Sequence, residues 1–460
     1  MTIRIRSIAL TASLFAMVLA SSAIAQGFPF GPKKPKRPDT VLLIHAGTVL
    51  VVPGEKPLTQ QTIVVRNERI GEVVEGYLQP GDIEAGKAVV EVIDLREQFV
   101  LPGLFDAHVH LARATGSYQQ GMPSVNSSPA TGEATVNALI NARLNLEAGF
   151  TALRDLGSDQ QSVFAVRDAI AAGHFAGPTI IASGTSISVT AGHGDDAASS
   201  DPDERARAGV CDGADDCRRL VRQLEKTGSD LIKFKATGGF SSNTGIKAHM
   251  SPEEMQVIVT AAHLRDLRVT THAYDPVAIV GALEAGVDSV EHGYLINDEG
   301  LRLMKRNGAF LVPTLTVAEP PSMVKRFLGG REPLSVKLRN EHRAFERAYA
   351  AGVKVAFGTD AGIYPHGRNA DELARMVELG MTPADALRSA TVVAAELFGV
   401  EGLTGTLQMD SAADIIAVAE NPLQNIAALQ KVSWVIKSGQ VVKRDGVMDA
   451  PLNYSLKQRY

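Results

Sequence analysis

Cysteine is nearly absent from this chain: 460 residues contain two, Cys211 and Cys217, in the stretch CDGADDC. A cysteine-built metal site needs a second pair, so a local disulfide is the natural reading. Positive charge is also scarce, 46 Lys+Arg against 51 Asp+Glu, for a net charge of −5. That excludes the basic field used to hold nucleic acid, and no such partner is expected. There is no Gly-rich phosphate loop after the first strand of the central region, which argues against a doubly wound open sheet. Hydrophobic residues make up 45% of the chain, as in a folded globular protein.

The N-terminus stands apart. Arg4 and Arg6 precede an apolar run from Ile8 to Ala20, and Ala23-Ile24-Ala25 offers small residues where signal peptidase reads. The run is short for a bilayer and no stop-transfer pattern follows, so stable membrane insertion is not expected. Residues 1–25 read as a signal peptide, which makes the protein exported, periplasmic or secreted. No cysteine near the cleavage site could carry a lipid. Residues 26–40, rich in Gly, Pro and Lys, read as a flexible tether. In an oxidising compartment Cys211 and Cys217 are expected to pair, rigidifying a surface loop and adding roughly 2 kcal/mol.

From Val41 to about Val100 short β-branched runs alternate with turns, and similar runs return in ADIIAVAE and SWVIKSGQVV. Residues 41–100 and 404–450 are therefore expected to form one composite β-sandwich domain. Residues 101–403 read differently. LFDAHVH, TALRDLG, TIIASG, DLIKFKA, RVTTHAY, SVEHGY, FLVPTLT and KVAFGTD are short strands separated by helical stretches such as PEEMQVIVTAAHLRDL, where Pro252 follows Ser251 at a favourable helix start. DPVAIVGALEAG, NDEGLRLMKRNG and TPADALRSATVVAAELFG are helical too, and each closes on Gly. Eight βα units predict an α/β fold, a (β/α)8 TIM barrel inserted in the small β domain.

Four of eleven histidines fall on or at the ends of these strands. His108 and His110 are two apart, which puts both imidazoles on one side of the first strand. His272 ends strand five, His292 ends strand six, and the carboxylate of Asp360 ends strand eight, where burial would be costly without a cation. Lys233 and Lys235 share a face of strand four, and spacing alone does not separate them. His193 after strand three could hydrogen-bond a substrate carbonyl or cap a loop. Tyr274 could meet a substrate carboxylate or simply pack. Arg154 and Asp155 read as an internal ion pair. His45, His174, His249, His263 and His342 lie off the pattern.

This arrangement, HxH on strand one, Lys on four, His on five and six, Asp on eight, resembles the amidohydrolase superfamily, in its binuclear, carboxylated-lysine branch. LPGLFDAHVH, AGFTALRDLG, DLIKFKATGG, THAYDPVAI, SVEHG and FGTDAGIYPHGRNADELARMVELGMTPADALRSAT are similar to an imidazolonepropionase-like subgroup that includes Xaa-Pro dipeptidases, and to ochratoxin-degrading amidohydrolases. His366 lies in a loop motif of that resemblance. The likeness implies two divalent metal ions, zinc by default. His108 and His110 would hold the more buried one and His272 and His292 the second. Lys233 would bridge both as a carbamate formed from CO2, and Asp360 would touch the first ion and act as base. It implies hydrolysis of an amide or peptide bond in a small-molecule or dipeptide substrate, releasing a C-terminal amino acid from Xaa-Pro dipeptides, N-acyl amino acids or ochratoxin A. It also implies a homo-oligomer, up to an octamer. The alternatives are a cyclic-amide hydrolase acting on an imidazolone-type ring and a metal-binding scaffold without catalysis.

Overall fold

The computed structural model describes residues 38–113, 130–195, 205, 207–239, 245–317 and 343–448. The expected signal peptide, most of the tether and His342 lie outside the described residues. The first four strands, β1 (Thr40–Val49), β2 (Leu58–Arg66), β3 (Arg69–Glu75) and β4 (Val89–Pro102), share one eight-stranded sheet with the last four, β13 (Ile415–Val418), β14 (Trp434–Lys437), β15 (Gln440–Arg444) and β16 (Val447–Met448). The two halves meet where β4 pairs antiparallel with β13, Pro102 opposite Ile415. The sheet curls, because Ile70 and Glu68 exchange backbone hydrogen bonds with residues 410–413. Ile44, Ile63, Val65, Ile415 and Trp434 pack in the resulting core.

Between these halves run eight short strands: β5 (Leu104–Val109), β6 (Phe150–Asp155), β7 (Thr179–Ala182), β8 (Leu231–Lys235), β9 (Arg268–Ala273), β10 (Ser289–His292), β11 (Phe310–Val312) and β12 (Lys354–Val355). All pair in parallel, as β5-β6-β7 and as β8 to β12. Backbone bonds close the two arcs into a ring. Asp230 N donates to Ala182 O and Ile187 N to Lys233 O on one side; Ala107 N donates to Phe357 O and Asp360 N to His108 O on the other. The chain therefore forms the (β/α)8 barrel with its attached β domain. Nearly every residue of these strands is buried, as expected where helices cover the outside of a parallel sheet.

The helices follow their caps. Helices α1 (Thr131–Glu147), α2 (Gln160–Ala171) and α3 (Ala214–Thr227) cover the first half, and α4 (Pro252–His263) opens with Pro252 inside a Ser251–Glu254 capping box. Helices α5 (Pro276–Ala285) and α6 (Asp298–Asn307) start on Asp275 and Asn297 caps and stop at left-handed Gly286 and Gly308. After α7 (Ala370–Glu378), the stretch expected as one helix is two, α8 (Pro383–Ser389) and α9 (Val392–Phe398). The break is where the chain docks on the barrel, since Ala390 O accepts from Phe105 N and Ser389 O from Phe357 N. A continuous helix would have used those carbonyls itself.

Cys211 and Cys217 are bonded, with sulfurs 2.11 Å apart, but the expectation of a surface loop is corrected. Both side chains are fully buried, beside Leu220, Phe234 and Met255. The loop is short, so the link itself contributes about 2 kcal/mol through the unfolded chain. A Cys211→Ala/Cys217→Ala double variant should keep its circular dichroism spectrum and lose about 2 kcal/mol in urea unfolding. A loss below about 0.5 kcal/mol would show that the covalent closure contributes little to the folded state.

Candidate metal centre

The C-terminal ends of the barrel strands carry the side chains singled out by the sequence. His108 lies on β5 and His110 just past it; Asp360 follows β12 and meets both. Asp360 Oδ1 stands 3.1 Å from His110 Nε2 and 3.6 Å from His108 Nε2. Gly358 makes this approach possible, since a Cβ there would stand 2.4 Å from Val312 and 3.0 Å from the His108 Cβ. The other nitrogen of each ring is tied off behind the site. His108 Nδ1 donates to Glu291 Oε2 at 2.8 Å, and His110 Nδ1 donates to the Gly157 carbonyl at 2.7 Å. Both Nε2 atoms therefore present lone pairs, and the oxygen facing them, though buried, accepts no hydrogen bond. Two nitrogen lone pairs and a carboxylate oxygen, all within 4.8 Å of one another, repel unless a cation lies among them, so the donor set fits a divalent ion.

His272 and His292 adjoin this group. Their ring centres are 4.7 Å apart, and that of His292 is 5.1 Å from His108. His272 Nε2 donates to the Gly238 carbonyl at 3.2 Å, leaving Nδ1 as that ring's lone pair, and His292 Nδ1 contacts Thr314 Oγ1 at 2.7 Å. Lys233, 2% exposed on β8, lies in the same interior, in the field of Glu291 and Asp360. Lys235 is at the rim: its Nζ lies 2.2 Å from where a Gly194 Cβ would stand, over the turn that carries His193. The His193 ring stacks on His272 at 4.9 Å, and Tyr274 stacks on His292 at 5.1 Å with its edge toward His272. His366 braces the back of the site, through Asn145 and the His110 carbonyl. Of the off-pattern histidines, His45 bonds the Leu78 carbonyl, His249 the Lys235 carbonyl and His263 the Asp288 carboxylate.

Electrostatics keep the His108, His193, His272 and His292 imidazoles neutral, the form in which a ring nitrogen can bind a cation. Burial, reinforced by Lys233, pushes His108 down to about 4, and burial with the neighbouring Lys235 and Arg113 pushes His193 to about 3. His272 and His292 fall well below the usual range for the same reason, burial first and neighbouring rings next. Burial lowers the Lys233 amine to about 8, against the opposing pull of Glu291 and Asp360.

A model of the Amidohydrolase family matches residues 99–442. The chain belongs to the amidohydrolase family. The amidohydrolase is 32% identical over 438 residues to ochratoxinase of Aspergillus niger, a match covering 88% of each chain. Among solved structures, it is similar to a Xaa-Pro dipeptidase crystallised with methionine in its active site, at 32% identity and a TM-score of 0.78, over 88% of this chain and 100% of that one. It is also similar to a prolidase complexed with N-methylphosphonate-L-proline, at 30% identity and a TM-score of 0.76, with the same coverage. These relatives and the family model make this amidohydrolase a hydrolase acting on amide bonds.

Two features of the centre escaped the sequence reading. Arg154 does not pair with Asp155. Neighbours on a strand face opposite ways: Asp155 accepts from Leu111 N and Ser158 Oγ, whereas Arg154 reaches across the barrel to Glu291 at 2.7 Å. Glu291 was not singled out at all. It is fully buried, accepts from Arg154, Thr270 and Ser289 on one oxygen, and holds His108 with the other. Burial opposes its charge, but Arg154 and His108 keep it well below the carboxylate range. Its signal was present in SVEHGY, a carboxylate inside a barrel strand next to a candidate ligand. Replacing it, Glu291→Gln, leaves the Arg154 charge without its partner and should cost about 3 kcal/mol in urea unfolding. Metal affinity should fall about 10–100-fold in competition titrations. Unchanged affinity would show that His108 needs no carboxylate to hold its tautomer.

Proposed function

We propose that this amidohydrolase holds two divalent ions, zinc by default, and cuts an amide or peptide bond to release a C-terminal amino acid. The observation that carries the reading is the meeting of the His108 and His110 lone pairs with the unpartnered Asp360 oxygen. His108, His110 and Asp360 would hold the more buried ion and His272 and His292 the second. Lys233 would bridge the two as a carbamate. Its buried amine, lowered to about 8, has a neutral fraction that can attack CO2, forming one N–C bond and releasing one proton. When bound, the ions supply Lewis acidity toward the scissile carbonyl and lower the pKa of water.

The chain's own groups do the rest. Asp360 accepts the proton of the attacking water and returns it to the leaving nitrogen. His193, neutral and stacked on His272, offers a ring N–H to the substrate carbonyl, and Tyr274 offers its hydroxyl to the substrate carboxylate. The methionine and the proline phosphonate bound by the two structural relatives support a substrate with a free C-terminal carboxylate. Xaa-Pro dipeptides, N-acyl amino acids and ochratoxin A are the leading substrates. The N-terminal pattern supports action in the periplasm or outside the cell. The family resemblance supports a homo-oligomer, up to an octamer, which light scattering of the mature chain would read.

A screen of dipeptides, N-acyl amino acids and ochratoxin A with added zinc should yield free C-terminal amino acid. Activity should vanish on chelation and return with zinc, at two ions per chain. One tightly held ion would favour hydrolysis of an imidazolone-type ring, and no turnover with ions bound would favour a scaffold. Lys233→Ala should lose the ions while Lys235→Ala keeps them; the reverse pattern would overturn the bridging assignment.

A further inference from the structure

Thr314 follows β11, is fully buried, and has a φ of 49°. Left-handed backbone is rare for a β-branched residue, so the surroundings must hold it there. Its Oγ1 lies 2.7 Å from His292 Nδ1 and 3.0 Å from the Tyr294 hydroxyl, and that hydroxyl donates to the Thr314 carbonyl at 2.8 Å. One direction of donation satisfies all three contacts. Tyr294 donates to the carbonyl, the Thr314 hydroxyl donates to the Tyr294 oxygen, and His292 Nδ1–H donates to Thr314 Oγ1. His292 Nε2 is then a lone pair.

The next two residues explain how the turn is held. Leu315 N and Thr316 N donate to the two oxygens of Glu372, each at 2.7 Å. Glu372 is fully buried in the first turn of α7, so the carboxylate clamps the chain from a helix outside the strand ring. Neither Thr314 nor Glu372 was reached from the sequence.

We propose that Glu372 and Thr314 form a positioning relay, in which the carboxylate clamps two amides, the clamp holds Thr314 left-handed, and Thr314 fixes the tautomer and angle of His292. Both side chains are fully buried. The relay matters to catalysis only through His292, and in that respect it rests on the proposed function above.

The test reads the His292 ring first, by 15N NMR of histidine-labelled, chelator-treated protein, with the signal assigned by its loss in His292→Gln. The wild-type protein should show the Nδ1–H form. Thr314→Val, which keeps the shape and removes the hydroxyl, should shift it toward Nε2–H or a mixture, and Glu372→Gln should shift it the same way. Thr314→Ser keeps the hydroxyl and should retain the wild-type signal. Zinc competition should show the weaker ion bound at least about tenfold less tightly in Thr314→Val and Glu372→Gln, and within about twofold of wild type in Thr314→Ser. Leu224→Ala, a core truncation in α3, should lower the unfolding midpoint without moving either readout. An Nε2–H form in the wild-type protein, or an unmoved tautomer in both Thr314→Val and Glu372→Gln, overturns the relay. A tautomer that shifts while zinc affinity stays fixed supports the relay and instead removes His292 from the metal centre.

Discussion

Glu291 carries a negative charge at the centre of a barrel that offers it no water, and the site is arranged around that fact. A lone carboxylate there would be neutralised or expelled. It persists because Arg154, anchored by the Ala107 carbonyl, supplies the opposite charge at 2.7 Å, and Thr270 and Ser289 fill the remaining acceptor positions. The pair as a unit is neutral, so its main product is orientation and not stability. One oxygen is left for His108, and a carboxylate accepting from Nδ1 fixes which nitrogen keeps its lone pair. The lone pair on His108 Nε2 thus follows from a buried ion pair.

A second buried carboxylate does for the backbone what Glu291 does for the ring. Asp106, on β5, accepts from His108 N, Thr359 N, Thr359 Oγ1 and Asn369 Nδ2. It therefore ties the first barrel strand to the segment after the last one, at the seam where the ring closes. Burial raises it to about 6 against the pull of those donors. Asp360 follows Thr359 directly, so the register of this knot decides whether Asp360 meets His108 and His110. Glu372 repeats the device one strand earlier. In each case a buried carboxylate binds amides at a strand end: the segments Asp106 ties carry His108 and Asp360, and the one Glu372 ties carries Thr314, which contacts His292.

The barrel was legible because its strands are short buried runs separated by capped helices, and these signals are local. His108 and His110 were legible through alternation, which holds along β5. Alternation fails at two other ligand candidates. His292 and Asp360 have φ of 70° and 56°, so each sits where the strand has already turned. That is why adjacent Glu291 and His292 can both serve the interior, a pairing that strict alternation forbids. The same rule, applied to Arg154 and Asp155, would have ruled out the ion pair expected between them. The break between α8 and α9 and the burial of the disulfide depend on contacts far away in sequence, which no local pattern encodes.

The two lysines of β8 show a limit of another kind. Alternation places Lys233 and Lys235 on one face, and both do point to the mouth side of the barrel. Depth separates them: Lys233 is among the histidine rings, while the Lys235 amine has climbed to the rim over Gly194. Two residues of an extended strand rise about 6–7 Å, enough to carry a side chain from a dry interior to the edge of solvent. The rim position gives Lys235 a role in the field of the site. After burial itself, its charge is the largest influence holding His193 near 3, so that ring stays neutral at any ordinary pH. A neutral imidazole adds no positive charge beside the His272 ring it stacks on, and it keeps one ring N–H as a donor.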